Sequence, residues 1–315
     1  MAFPATSARP FGAVLTAMVT PMTPDGDVDL DAAARLAARL VDEGNDGLVL
    51  SGTTGEAPTT HAPEKADLVR VVVDAVGDRA TVLTGAGSND TAHAVRMAQQ
   101  AAEAGAHGLL VVSPYYSRPA QEGLYRHFVT VADATDLPVM LYDIPGRAGV
   151  RIARATFERL AAHPRIVANK DATGDVAAAL TLHEVTGLAW YSGDDALLLP
   201  FLSVGAAGIV SVSAHLVGRQ FAEVVRRFDA GDHSGALDVF RTTVPVIEAM
   251  NGAGAQAVMV KAALEALGVL GNRQLRLPNV AASQDDAAQV RDVLAAAGLL
   301  PAAAAAVGHP IPTLP

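Results

Sequence analysis

Residues 166–186 read IVANKDATGDVAAALTLHEVT, which is a short apolar run, a polar link and a segment of helical length. We predict a strand at Ile166–Asn169 and a helix at Asp175–Thr186. A strand buried on both faces and followed by a crossover helix is the repeating unit of a parallel sheet. The same unit recurs along most of the 315 residues, so this stretch indicates the fold class.

Eight apolar runs have the length and composition of buried strands. They are predicted at Ala13–Val19, Gly47–Leu50, Thr81–Thr84, Gly108–Val112, Pro138–Tyr142, Ile166–Asn169, Ala189–Ser192 and Gly208–Val212. A helical pattern follows each run, which predicts an α/β fold, a (β/α)8 TIM barrel. An open doubly wound sheet is the structural alternative, although Gly85-Ala86-Gly87 lacks the third glycine of a dinucleotide-binding fingerprint.

The alternation stops after Gly231, and three helical segments follow at Ser234–Met250, Ala255–Leu267 and Asp285–Ala297. We therefore predict an N-terminal extension at 1–10, a barrel domain at 11–231, a C-terminal helical domain at 232–300 and a flexible tail at 301–315. The tail is rich in Pro and Ala and has no periodicity.

Composition argues against several classes of function. The net charge of −10 disfavours binding to a nucleic-acid backbone, and no stretch is long and apolar enough to predict a membrane span. The chain has no cysteine, and its nine histidines never lie three to five residues apart, so no metal site is predicted. The N-terminus does not resemble a secretory signal, which predicts a cytoplasmic location.

Lys170 is placed where strand six ends, and functional loops of a barrel follow the carboxyl ends of its strands. Only three of the 23 basic residues are lysines. A buried lysine of lowered pKa can attack a carbonyl to form a Schiff base, whereas a guanidinium cannot. The alternative is a structural lysine that pairs with Asp171 or extends to solvent. Position alone leaves both interpretations open.

Three other strand ends carry polar motifs. SGTTGE at 51–56 offers hydroxyl and N–H donors for a carboxylate, LYDIPGR at 141–147 a phenol and an arginine, and SPYYSRP at 113–119 two adjacent tyrosines. Each of the first two has an ordinary alternative, namely a capped turn and plain packing. The tyrosine pair suits a ligand lid or a subunit contact.

In this order, GTTGE, PYY, YDIPGR and KDATG together resemble the dihydrodipicolinate synthase family of pyruvate-dependent aldolases and lyases, from about Gly12 to Leu300. The resemblance implies a (β/α)8 barrel with a C-terminal helical domain, condensation of pyruvate with L-aspartate-4-semialdehyde in lysine biosynthesis, and usually a homotetramer. It implies no metal or organic cofactor.

The resemblance also implies residue roles. Lys170 would form the Schiff base with pyruvate, and Thr53 and Thr54 would hold the pyruvate carboxylate. The proton relay would comprise Thr54, Tyr142 and Tyr116, of which Tyr116 reaches a neighbouring subunit's site. The carboxylate of the semialdehyde would bind Arg147, and the pocket lining would include Gly193 and Val210.

This sequence departs from the family pattern at two places. Asn169 precedes the lysine where an apolar residue is usual, which weakens the argument for a lowered lysine pKa. Lysine-inhibited members carry serine, histidine and glutamate where this chain has other residues, namely Ala57, Ala62, Lys65 and His93, and only Asn89 matches. We therefore predict weak or absent feedback by L-lysine.

Two alternative functions remain from the sequence. A related aldolase could share the pyruvate half and take a sugar acid, as N-acetylneuraminate lyase and 2-keto-3-deoxy sugar-acid aldolases do. Arg147 and Tyr116 favour the semialdehyde, because they suit a short amino acid carboxylate better than a polyol. A barrel that has lost catalysis and only binds a ligand is the second alternative.

Overall fold

The computed structural model describes residues 9–251 and 255–300, and its centre is a closed barrel of eight parallel strands. Each strand pairs with the next along the chain, and β8 closes the ring against β1. The strands are β1 (Val14–Ala17), β2 (Gly47–Leu50), β3 (Thr81–Gly85), β4 (Gly108–Val112), β5 (Val139–Asp143), β6 (Ile166–Asp171), β7 (Ala189–Ser192) and β8 (Gly208–Ser211).

Helices connect the strands and surround the barrel. They are α1 (Leu30–Asp42), α2 (Ala62–Val76), α3 (Thr91–Glu103), α4 (Gln121–Asp133), α5 (Pro145–Ala148), α6 (Arg154–Leu160), α7 (Val176–Thr186), α8 (Leu198–Ser203) and α9 (Ala214–Asp229). A 3₁₀ turn at Asp195–Leu197 leads into α8. Aspartates at 29, 90 and 175 cap α1, α3 and α7 by accepting a backbone N–H of the first turn, which explains where these helices begin.

Two apolar layers hold the barrel together. Alternate strand residues such as Leu15, Val49 and Met140 fill the barrel interior. Their neighbours along the strands pack against the helices instead. Because the strands are buried on both faces, they read as continuous apolar runs, and this is why the sequence located all eight.

A C-terminal helical domain follows the barrel. Its helices are α10 (His233–Met250), α11 (Gln256–Ala266) and α12 (Gln284–Ala296). The side chain of Asp232 caps α10, and Ser283 forms a capping box with Asp286 at the start of α12. The fold is therefore the predicted (β/α)8 TIM barrel with a C-terminal helical domain, and the alternative of an open doubly wound sheet is wrong.

Three local predictions need correction. Strand β6 continues to Asp171, so Lys170 lies inside the strand and not after it. The motif at 141–147 contains an extra helical turn, α5, which starts at Pro145 because a proline at this position gives up no helical hydrogen bond. The sequence pattern predicts the last barrel helix at Val217–Asp229, whereas α9 begins at Ala214 and has non-helical torsion angles at Val217.

The predicted domain boundaries remain predictions. The tail at 301–315 and most of the extension at 1–10 lie outside the described residues. Within the described residues, no helix is both long enough and apolar enough to cross a membrane.

Candidate active site

Lys170 and Tyr142 are neighbours at the carboxyl ends of β6 and β5. The two residues are paired in the strand register, and the Lys170 Nζ lies 4.4 Å from the centroid of the Tyr142 ring. Only 6% of Lys170 and 5% of Tyr142 is exposed. Ala168, two residues earlier on β6, belongs to the barrel interior, so the alternation of strand side chains directs Lys170 inward as well.

Burial controls the charge of this amine. Desolvation lowers the pKa of Lys170 to about 8, and the charge of Arg147 lowers it further, while the Asp195 carboxylate opposes both. Within residues 9–251 and 255–300, the Lys170 Nζ has no hydrogen-bond or ion-pair partner. An amine of this kind is uncharged in a substantial fraction of molecules near neutral pH.

The structure contradicts both structural interpretations of Lys170. Asp171 points to the opposite side of β6, where its carboxylate accepts the Thr173 N–H at 2.8 Å and the Trp190 Nε1–H at 2.9 Å. Asp171 therefore does not pair with Lys170. Extension of Lys170 to solvent is also wrong, because its side chain is buried.

Asn169 does not weaken the site in the predicted way. Its side chain is fully buried on the outer face of β6, away from Lys170, and its amide has no hydrogen-bond partner among the described residues. Asn169 is not among the groups that shift the pKa of Lys170. The structure provides no reason for an amide at this position.

Tyr142 is a protonated phenol at neutral pH. Burial raises its pKa to about 12, and the charge of Arg147 opposes that increase only in part. A phenol of this kind can donate a hydrogen bond to a developing alkoxide and can pass a proton on. It therefore suits the predicted relay as a donor.

A cavity of about 610 Å³ opens beside this pair. Four of the predicted site residues line it, namely Thr53, Tyr116, Tyr142 and Arg147. Lys170, Thr54, Gly193 and Val210 do not line it. The Lys170 amine is connected to the cavity through Tyr142, because its Nζ lies over the ring of this lining residue.

The turn after β2 presents the two threonines differently. Thr53 is exposed at the cavity wall, whereas Thr54 is buried with 5% of its surface accessible. The turn is tightly held, because a Cβ at Gly55 would lie 2.9 Å from the Ser51 nitrogen and 3.0 Å from the Met18 oxygen. Ser51 itself has a φ of 49°, which is uncommon for a residue other than glycine.

Gly193 and Val210 belong to the barrel wall. The Gly193 N–H donates to the backbone carbonyl oxygen of Asp171 at 2.7 Å, and a Cβ at Gly193 would lie only 2.9 Å from that carbonyl oxygen. Close packing on the end of β6 therefore explains this glycine. Val210 is buried in β8 with the other interior side chains.

Tyr116 and Arg147 lie farther out. Tyr116 is 90% exposed and has a φ of 74°, a conformation that is strained for a tyrosine. Arg147 is exposed on α5, where its guanidinium can meet a ligand that enters the cavity.

Another part of the wall of the same cavity carries the basic residues Lys65 and His93. It contains Ala57, Ala62, Lys65 and His93, the positions that differ from lysine-inhibited relatives, whereas Asn89 does not line the cavity. The Lys65 Nζ donates to the Ala57 oxygen at 2.9 Å, and burial lowers the pKa of Lys65.

Sequence reasoning missed Asp195. This buried carboxylate accepts the N–H groups of Val212 at 3.2 Å and Ser213 at 2.7 Å, which ties the loop after β7 to the end of β8. Asp195 raises the pKa of Lys170 more than any other group does. The two adjacent aspartates of SGDD at 192–195, directly after strand seven, are a signal in the sequence that could have indicated it.

The described residues offer no metal site. Among residues 9–251 and 255–300, no group of three or more His, Asp or Glu side chains is arranged to hold a metal ion. The chemistry available here is that of an amine, a phenol, hydroxyls and a guanidinium.

These features define a class, a (β/α)8 barrel with a buried amine at the carboxyl ends of its strands. The sequence profile of the dihydrodipicolinate synthetase family matches residues 10–297, and the chain belongs to that family.

Individual relatives agree with this assignment. The chain is 54% identical to 4-hydroxy-tetrahydrodipicolinate synthase 2 of Streptomyces coelicolor, over 95% of this chain and 99% of that protein. The enzyme of Cyanidioschyzon merolae, solved with lysine bound, has a TM-score of 0.89 and 39% identity over 93% of this chain and all of its own. The Acinetobacter baumannii synthase, solved with pyruvate, has a TM-score of 0.88 and 33% identity over 92% of this chain and 100% of that one.

Proposed function

We propose that this chain is a 4-hydroxy-tetrahydrodipicolinate synthase of the diaminopimelate and lysine pathway, which condenses pyruvate with L-aspartate-4-semialdehyde through a Schiff base on Lys170. One observation carries the proposal. The Lys170 amine is buried, lies 4.4 Å from the ring centroid of Tyr142, a residue that lines the cavity, and has a pKa lowered to about 8. The identity of 54% to a synthase of this name supports the same activity.

The lowered pKa has a direct kinetic consequence. With a pKa of about 8, roughly 10% of the Lys170 amine is neutral at pH 7, whereas an ordinary lysine would be neutral in well under 0.1% of molecules. Burial therefore increases the nucleophilic fraction by a factor of about 300.

Pyruvate would bind with its carboxylate on the turn after β2. Thr53 and Thr54 supply hydroxyl donors there, and the turn adds backbone N–H groups. The neutral Lys170 amine then attacks the ketone carbon, and as the nitrogen gives up its protons the former carbonyl oxygen takes up two in succession and leaves as water. Tyr142, whose phenol is protonated at neutral pH, donates to that oxygen, and Thr54 and Tyr116 complete the relay.

The imine withdraws electrons from the adjacent methyl group, which loses a proton to give an enamine. The enamine carbon attacks the aldehyde carbon of the semialdehyde, whose carboxylate pairs with Arg147 in the cavity wall. The amino group of the bound semialdehyde then displaces Lys170 from the imine carbon. This step closes the ring and regenerates the free amine.

We also propose a homotetramer in which Tyr116 completes the site of a neighbouring subunit. A tyrosine that is 90% exposed with a strained backbone has a reason for both properties if it packs against another chain. The cytoplasmic location predicted from the sequence stays a prediction.

Comparing aldehydes separates the synthase from a sugar-acid aldolase. Purified protein is assayed with pyruvate plus either L-aspartate-4-semialdehyde or N-acetylmannosamine. The proposal expects kcat/KM to favour the semialdehyde by at least about a hundredfold, because only this substrate places a short carboxylate on Arg147. Preference for the sugar would reject it, and a barrel that only binds a ligand would leave no borohydride-stable pyruvate adduct.

A further inference from the structure

The turn that carries Thr53 and Thr54 is tied to the C-terminal helical domain by a buried ion pair. Glu56 is 1% exposed, and its Oε1 accepts from the Lys261 Nζ of α11 at 2.6 Å. Its Oε2 accepts the backbone N–H of Arg276 at 2.9 Å. The same Lys261 ammonium also donates to the backbone carbonyl oxygen of Gln274 at 2.7 Å. Both carboxylate oxygens therefore bind residues more than 200 positions away.

This arrangement resolves a problem in the sequence. A glutamate next to two threonines would repel the carboxylate that they are predicted to bind. The Glu56 side chain instead pairs with the Lys261 ammonium, which balances its charge, and Glu56 does not line the cavity. Of the three lysines in the chain, Lys261 thus neutralises the carboxylate beside the predicted pyruvate site.

The backbone of Glu56 supports the threonines directly. Its backbone N–H donates to the Thr53 carbonyl oxygen at 3.1 Å, and its own carbonyl oxygen accepts the backbone N–H of Thr59 at 3.0 Å. Glu56 has a φ of 57°, so both it and Ser51, at the two ends of the turn, are in the left-handed region. Conformations of this kind persist only where surrounding contacts enforce them. For Glu56, the side-chain contacts to Lys261 and the Arg276 N–H provide that enforcement.

We propose that Glu56 is a positioning residue for the keto acid. Held by Lys261 and the Arg276 N–H, it sets the geometry of the turn at 51–56 and thereby the affinity of the threonine donors for the pyruvate carboxylate. The C-terminal helical domain thus contributes to pyruvate binding through one buried contact. This inference rests on the function proposed above and adds a residue that touches neither substrate nor the reacting amine.

The test separates positioning from stability. Glu56→Gln keeps the size of the side chain and one acceptor oxygen but removes the charge that holds Lys261. We expect the pyruvate KM to rise between about tenfold and a hundredfold, since a displacement on the order of 1 Å has effects of this size. We expect kcat and the semialdehyde KM to change by less than about threefold, because Lys170, Tyr142 and Arg147 are untouched.

Leu294→Ala is the matched control. It removes a fully buried side chain from α12 in the same domain and has no part in the Glu56 contacts. We expect a lower unfolding midpoint with the pyruvate KM of the parent. If Glu56→Gln behaves in the same way, with reduced stability and an unchanged pyruvate KM, the contact is purely structural and the proposal is wrong.

A double variant covers the case in which Glu56→Gln does not fold. Glu56→Gln with Lys261→Met leaves neither buried charge alone, so it retains the fold more readily than either single change. The proposal expects the pyruvate KM of this double variant to be raised by the same tenfold or more, and a KM equal to that of the parent would overturn it.

Borohydride trapping of the parent chain is run alongside. If the parent chain forms no pyruvate adduct, the proposed function itself is wrong. If the parent forms the adduct and the variants keep the pyruvate KM of the parent, only the role of Glu56 is wrong.

Discussion

Lys170 and Lys261 are both buried lysines, with 6% and 1% of their surfaces exposed, yet their surroundings give them opposite roles. The Lys170 ammonium lies beside an aromatic ring, and no carboxylate is within ion-pair distance of it in the described part of the chain. The Lys261 ammonium lies 2.6 Å from the Glu56 carboxylate.

Desolvation is the largest influence on both amines, and it lowers the pKa of each. The two amines differ in the interactions that oppose this lowering of the pKa. Glu56 opposes the shift at Lys261 through a direct hydrogen bond as well as through its charge, whereas Asp195 acts on Lys170 through its charge alone. Burial therefore makes a lysine a candidate nucleophile, and a carboxylate in direct contact makes it a structural anchor.

The strongest test of this contrast removes the reactive amine. Lys170→Met should lower kcat/KM by at least about 10⁴-fold, because the covalent route requires the amine and the remaining groups only bind substrate. Steady-state kinetics with pyruvate and the semialdehyde measure the loss. Lys65→Met, which removes another lysine from the cavity wall, is the matched control and should keep kcat within about threefold. Equal losses in both variants would contradict the assignment.

The same Lys170→Met variant should be more stable than the parent at pH 7. The folded pKa of about 8 lies below the ordinary lysine value of 10.5, so the folded chain binds fewer protons than the unfolded chain between these two pH values. Stability contributed by this group therefore rises with pH across that window, and below it the buried charge costs about 3 kcal/mol. Chemical denaturation at pH 7 and pH 10 should show a gain from Lys170→Met that shrinks at the higher pH.

Removing the anchoring lysine should have the opposite effect on stability. Lys261→Met leaves the Glu56 carboxylate buried without its cation, which should reduce the free energy of unfolding by about 3–5 kcal/mol. Urea denaturation followed by circular dichroism measures the change. A loss below about 1 kcal/mol would show that solvent or another cation replaces Lys261.

A smaller effect concerns the carboxylate that acts on Lys170 from a distance. Formation of the pyruvate adduct should accelerate as the pH rises through about 8, where the Lys170 amine loses its proton. Asp195→Asn removes the charge that raises this pKa and should move the apparent pKa to lower pH. Single-turnover trapping across the pH range measures both values. A shift to higher pH in the variant would contradict the electrostatic role of Asp195.

The smallest expected effect concerns Lys65, the third lysine. Lys65 and His93 both line the cavity. Both positions depart from the pattern that lysine-inhibited members of the family carry. A cationic amino acid would meet a like charge there and no carboxylate at position 93. Millimolar L-lysine should therefore leave the steady-state rate unchanged, whereas half-inhibition at micromolar lysine would contradict this description of the cavity.

The sequence indicated the barrel and the candidate nucleophile for the same physical reason. Strands buried on both faces are continuous apolar runs, so a lysine within one of them is conspicuous, as Lys170 is at the end of an apolar stretch. The strand boundaries followed from composition to within two residues. Thr53, Tyr116, Tyr142 and Arg147 were located because their motifs follow strands that end at the same rim.

The remaining features depend on contacts that local patterns do not encode. Glu56 and Lys261 are 205 positions apart, and neither has a local sequence feature that predicts the other. Asp195 accepts the backbone N–H groups of Val212 and Ser213, which lie beside it because β7 pairs with β8. Position alone could not decide the role of Lys170 either, because Tyr142 and Asp195, which surround it, come from other parts of the chain.

The central claim is that Lys170 is the one lysine that reacts with pyruvate. The most direct measurement is intact-mass analysis after incubation with pyruvate and borohydride, followed by mapping of the modified peptide. The account predicts one reduced pyruvate per chain, on the peptide that contains Lys170, with Lys65 and Lys261 unmodified. A label on either of those two lysines, or no label at all, would contradict it.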